Sequence, residues 1–188
     1  FLLSTIGAGA QENHFAAGND VTWNAPGTNE NNSMPLGNGD IALNVWTEQN
    51  GDIVLLLAKA DAWSENGQLL KLGRVRVKLT PNPFVASTNF TQTLKLESGE
   101  VQIQNGKNIA HIWVDANHPA VHLEVKTEQP VQMEAKTELW RTNDYHLDQK
   151  AVSQAGFFEW GNNPDGLDFE ADTILPAQNN QVAWCHFN

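Results

Sequence analysis

The residues best suited to chemistry stand together in one short run, Asp61-Ala62-Trp63-Ser64-Glu65-Asn66-Gly67. Carboxylates and amides pair with hydroxyl groups, and an indole face stacks on the C–H surface of a pyranose. Asp61, Trp63, Ser64, Glu65 and Asn66 are therefore candidate sugar-binding residues. The alternative is that Trp63 plugs the core while the two carboxylates satisfy loop amides. Asp61 and Glu65 do not read as a hydrolytic pair, because glycosidase carboxylates flank a bound sugar about 5–10 Å apart. Two residues on one short loop rarely present that geometry. No catalytic residue is assigned.

Other groupings are weaker. Glu138, Trp140, Arg141, Asp144 and His146 crowd one segment and form either a polar site or a strand end with local ion pairs. His111, His118 and His122 invite a metal reading. In strand rhythm His118 and His122 share a face only across a turn at Pro119, and no carboxylate stands at a zincin spacing. Residues 162–168 are rich in Asn and Asp, which leaves a structural calcium open there, although the spacing of an EF-hand is lacking. Neither a metal nor a cofactor is expected. Cys185 and His186 are adjacent, so on a strand they point to opposite faces and make a poor nucleophile–base pair. There is no Gly-x-Ser-x-Gly elbow for a serine hydrolase.

The elements that must position these residues are strands. Period-two alternation recurs: Ile41, Leu43 and Val45; Val75, Val77 and Leu79 against Arg74, Arg76 and Lys78; Leu94 and Leu96; Val101 and Ile103; Ile112 and Val114; Val121, Leu123 and Val125; Val131 and Met133. Asn50-Gly51 and Asn105-Gly106 sit between alternating runs, where Asn and Gly tolerate the positive φ of a hairpin turn. Pro119 and Pro130 separate the later strands, since proline cannot join a ladder. Residues 53–58 are apolar throughout and read as a central strand covered on both faces. Gly37-Asn38-Gly39 reads as a tight turn feeding the strand from Ile41. It is not a phosphate loop, because Lys and Ser/Thr are missing and a strand follows. The fold class is all-β, an antiparallel β-sandwich, with weaker patterning after about Leu139.

Composition narrows the partners. Eleven basic and 22 acidic residues among 188 give a net charge of −11, which repels phosphate backbones and speaks against nucleic acid. No run is long enough to span a membrane. The single Cys185 excludes a disulfide framework. Residues 1–10 end in Gly7-Ala8-Gly9-Ala10 and read as the tail of a secretory signal, which implies export to the periplasm or beyond. Residues 11–188 then form the sandwich, and the apolar stretch from Val182 to Asn188 reads as a truncation point.

From Trp23 to Phe84 the words are specific. Trp23, Pro26, Met34-Pro35-Leu36-Gly37-Asn38-Gly39-Asp40, the Asn-Gly hairpin, Asp61-Ala62-Trp63-Ser64-Glu65-Asn66-Gly67, Lys71-Leu72-Gly73-Arg74 and Pro81-Asn82-Pro83-Phe84 resemble the N-terminal β-sandwich (supersandwich-like) domain of six-hairpin glycosidases. The pattern is similar to glycoside hydrolase family 95, the α-L-fucosidase family, and to a Bacteroidetes family of unknown function that precedes such barrels. The resemblance implies a downstream (α/α)6 barrel of the same polypeptide as partner. That barrel would carry every catalytic group, the sandwich would help shape an oligosaccharide cleft, and the 61–66 loop would rim it. The competing reading is a non-catalytic carbohydrate-binding module with Trp63, Trp113 or Trp160 as open platforms.

Overall fold

The computed structural model describes residues 18–154 and 165–186. Residues 1–10, Trp160, residues 162–164 and residues 187–188 lie outside them. The alternating runs form two antiparallel sheets of five strands each. The first contains β1 (Val21–Trp23), β6 (Phe90–Lys95), β7 (Glu100–Asn105), β8 (Asn108–Val114) and β9 (Val121–Lys126), in that order. The second runs β10 (Gln132–Glu138), β5 (Leu69–Thr80), β4 (Ile53–Trp63), β3 (Ile41–Thr47), β2 (Met34–Gly37). β4 is the central strand, as its unbroken apolar run implies. The Asn-Gly pairs turn β3 into β4 and β7 into β8, with φ of +86° at Gly51 and +63° at Gly106.

The core lies between the sheets. Leu43, Val45, Ile53, Leu55, Val77 and Leu79 of the second sheet meet Phe90, Val101, Ile103 and Ile112 of the first. Each such side chain contributes roughly 1.5–3 kcal/mol by leaving water. One polar contact crosses this interior. Thr47 Oγ1 donates to Gln92 Oε1 at 3.0 Å, and Gln92 Nε2 donates to the Val45 carbonyl at 3.3 Å. At one end of the sandwich the 37–39 turn acts as a clasp. Asn38 Oδ1 accepts from the Asp40 and Ile41 amides, while its Nδ2 donates to the Asp115 and His118 carbonyls of the β8–β9 turn.

The two outer faces differ. On the first sheet the outward side chains are mostly polar: Thr22 and Thr93 share a hydrogen bond, Glu100 meets His111, and Trp113 stacks on His122 with centroids 5.0 Å apart. On the second sheet Trp46 and Val54 point outward yet are 1% and 0% exposed. Beside them Arg76 bonds Glu48 at 2.6 and 3.1 Å and Glu138 at 2.6 Å, with Arg74 reaching Glu138 at 3.0 Å. This face is covered, as the apolar run of residues 53–58 implies and the alternation of the neighbouring strands alone does not.

Alternation also fails at one place in β5. Leu57 pairs with Gly73 but Ala58 pairs with Lys71, so Leu72 is an extra residue and the strand bulges. Gly73 sits at φ +148°, and a Cβ there would stand 2.7 Å from Leu139 Cδ2. A bulge shifts the parity of the strand, which puts Lys71 on the outer face with Arg74. Two smaller expectations are corrected. Leu96 lies just past β6, and Met133, paired with Leu79, sits on edge strand β10; both are exposed.

Beyond β10 the chain forms β11 (Tyr145–Leu147), α1 (Gln149–Gln154), β12 (Leu167–Phe169), β13 (Thr173–Gln178) and β14 (Gln181–Cys185). β11 pairs with β12 over a small core of Val152, Leu167 and Phe169. β13 and β14 are a hairpin turned by Asn179 and Asn180 at φ +49° and +60°, where Asn tolerates the left-handed region. No helix of the described residues is long and apolar enough to cross a membrane.

Candidate functional site

The 61–66 run ends β4 and forms the tip joining it to β5. Ser64 is buried and makes the turn. Its Oγ accepts from the Asn66 and Gln68 amides at 3.2 and 3.1 Å, and its own amide donates to the Gln68 carbonyl. Glu65 and Asn66 bind the later part of the chain. Asn66 Nδ2 donates to the Asp168 carbonyl at 2.6 Å, and Glu65 Oε1 accepts from the Glu170 amide at 2.9 Å. Glu65 Oε2 lies 3.0 Å from His186 Nε2.

His186 continues inward. Its Nδ1 is 3.2 Å from Asp172 Oδ1, and the Asp172 carboxylate takes two bonds of 2.9 Å from Arg141. Arg141 Nη1 also donates to the Lys71 carbonyl at 2.6 Å, and Trp184 Nε1 donates to the Leu72 carbonyl at 2.8 Å. At the β5 bulge, the Lys71 carbonyl thus receives Arg141 and the Leu72 carbonyl receives Trp184 of the last hairpin. The Asp172 side chain is 2% exposed, so the chain Glu65–His186–Asp172–Arg141 runs from surface to interior. The His186 ring therefore bridges the Glu65 and Asp172 carboxylates through its two nitrogens. Burial, the largest influence on Glu65, raises its carboxyl. The His186 and Glu170 donors outweigh it and leave the group below its ordinary value.

Asp61 and Trp63 remain open. They rim a pocket of about 220 Å³ whose walls include Lys59, Arg141, Trp184 and His186. The Trp63 side chain is 47% exposed. Lys59 reaches Asp61 at 2.6 Å and Asp40 at 3.0 Å. That pairing lowers the Asp61 carboxyl and raises the Lys59 ammonium, so both stay charged. The pocket offers an indole, a carboxylate and an ammonium, groups that bind hydroxyls. Cys185 lines it, but its Sγ faces only the Thr173 carbonyl at 4.0 Å.

The five candidate residues therefore divide. The structure brings Asp61 and Trp63 to a pocket, and it employs Ser64, Glu65 and Asn66 in holding the loop and the last hairpin. Lys59, Arg141 and Asp172 were not singled out as partners of the run. Their one signal is charge in segments far apart in sequence, which no spacing rule joins. The 138–146 group disperses as ion pairs: Glu138 to Arg76, Arg141 to Asp172, His146 to Asp168 at 2.8 Å. The three histidines separate too. His111 meets Glu100, His118 and His122 meet Asp115, and among the described residues no group of three His, Cys, Asp or Glu side chains is arranged to hold a metal ion.

Fold and site together define an all-β sandwich with a small polar pocket at one sheet end and a relay of charges behind it. Over residues 22–188 the chain matches the N-terminal model of the family described as Domain of unknown function (DUF5703), and it belongs to that family. No curated protein matches it.

Proposed function

We propose that this chain is the N-terminal sandwich domain of an exported glycoside hydrolase of fucosidase-like type. It packs on a downstream (α/α)6 barrel and helps shape that barrel's sugar cleft. The observation that carries the reading is the open pair Asp61 and Trp63 on a pocket whose other walls are tied down by hydrogen bonds. A cleft rim needs groups that meet hydroxyls and a pyranose face while holding still, and a rigidly backed loop end provides them. Hydrolysis by inversion then belongs to a carboxylate pair in the barrel, not to Asp61 and Glu65. Glu65 is already engaged by His186 and the Glu170 amide.

The reading frame past Asn188 tests this. Paired amphipathic helices with inward carboxylates over several hundred codons support it. A stop within a few tens of codons overturns it and leaves the second reading, a carbohydrate-binding module. That alternative is favoured by one observation, that Trp63 and Trp140 are both about half exposed.

A further inference from the structure

A second hollow lies on the covered outer face of the second sheet, away from Asp61. Trp46, Leu56, Arg74, Lys71, Trp140 and Glu30 line it, and it holds about 330 Å³. A neighbouring hollow of about 410 Å³ shares Lys71 and Trp140 and adds Tyr145. The two make a groove with Lys71 and Trp140 at its waist. Trp140 and Tyr145 are 48% and 43% exposed along it, with one face of the Tyr145 ring stacked on Phe169.

The groove is rich in donors. Trp46 Nε1 and Arg74 Nε are buried and have no hydrogen-bond partner. Trp46 is 1% exposed, so its indole N–H is a polar group deep in the wall with nothing to donate to. Lys71 is exposed and makes no ion pair with a described residue. In a chain of net charge −11, an ammonium left without a carboxylate runs against the local supply of acids. Lys71 is there only because the bulge at Leu72 and Gly73 turns it onto this face. Opposite these donors the first hollow offers one carboxylate, Glu30, and the second adds the Gln68 amide and the Tyr145 hydroxyl.

We infer that this groove binds an acidic saccharide, with a uronate carboxylate between Lys71 and Arg74 and a pyranose face on Trp140. An unpaired Lys71 beside Arg74, whose Nη2 is held by Glu138 at 3.0 Å while its Nε has no partner, calls for a ligand that brings oxygen acceptors and negative charge. Open aromatic rings at the groove's waist call for one that also has flat C–H surfaces. A carboxylate side chain from another protein would satisfy the first demand and not the second. The inference uses neither the barrel nor the Asp61 pocket, so it stands or falls separately from the function proposed above.

Tryptophan fluorescence and calorimetric titration of the 188-residue chain with tetragalacturonate test it, with the methyl-esterified tetramer as the uncharged comparison. Saturable binding of the acid is expected, weaker for the ester by on the order of tenfold, as for a lost charge-assisted hydrogen bond. Binding should weaken with added salt. Lys71→Met, which keeps the side-chain stem, and Trp140→Ala should each remove it at an unchanged thermal midpoint. Trp113→Ala, on the other sheet, should leave it intact. Equal affinity for acid and ester, or full binding by Lys71→Met, overturns the proposal. So does no saturable binding at millimolar tetramer. A groove that instead captures an acidic peptide and ignores the tetramer also overturns it, and makes the face a protein-docking surface.

Discussion

The two outer faces of the sandwich are made from the same alternating grammar and have opposite fates. On the first sheet, threonines, glutamines and a half-buried Trp113 meet solvent or each other. On the second, Trp46 and Val54 are as buried as the core, and Arg76 is held by Glu48 and Glu138. The first face is a boundary and the second is a third layer. The Asp61 pocket and the two hollows of the groove all open on the second sheet or its loops. Binding surfaces gather where a face is covered unevenly, because partial cover leaves polar groups desolvated and aromatic rings half exposed.

Substitution can break this contrast directly. Trp46→Ala should cost about 3–5 kcal/mol in urea unfolding, the range for a buried large side chain. An effect near that of an exposed residue would return the face to solvent. Arg76→Met should cost about 2–3 kcal/mol, because Glu48 and Asp52 lose their cation and Glu138 keeps only Arg74, and this is less than for a fully buried pair since water reaches Glu48 and Glu138. Gly73→Ala should cost about 1–3 kcal/mol through its positive φ and the contact with Leu139, and it should weaken tetragalacturonate binding by moving Lys71. Wild-type stability with unchanged sugar binding would sever the bulge from the groove.

The charge layer also has a pH signature. The hydrogen bond from Arg76 holds the Glu138 carboxyl below its ordinary 4.5. A depressed carboxyl contributes stability that is full above its unfolded value and is lost as pH falls through the folded one. Unfolding free energy should therefore drop below pH 4.5, and Glu138→Gln should flatten that drop while lowering stability near neutral pH. A slope unchanged by the substitution would assign the acid sensitivity elsewhere. At the small end, Trp113→Ala should cost less than about 1.5 kcal/mol, the scale of one exposed aromatic contact.

Much of the fold was legible. Val77 and Leu79, Val101 and Ile103, and Ile112 alternate inward as their spacing requires, and the two Asn-Gly pairs turn hairpins. These features are local, with each residue carrying its own evidence. The site was legible in part. The 61–66 run announces hydroxyl chemistry by residue type, but residue type cannot say that Glu65 answers His186, 121 positions away. Trp46 reads as an outward residue, and only the loop that follows β1 and the charges of β5 make it an inward one. Lys71 reads as facing away from Arg74 until the bulge is known, and Gly73 was its only trace.

The contacts that seat the last hairpin have a consequence for when the protein is whole. Trp184 meets Leu72 across 112 residues, and His186 meets Glu65 across 121. Closing so long a loop costs little more entropy than closing one half its length. Timing, rather than stability, is what such distance governs. On the ribosome the strands through β10 can pair and bury their core while the tail is still being made. The walls of the Asp61 pocket, however, are not complete until Trp184 and His186 have left the exit tunnel. A nascent chain can therefore be folded for some seconds before it can recognise anything at that end.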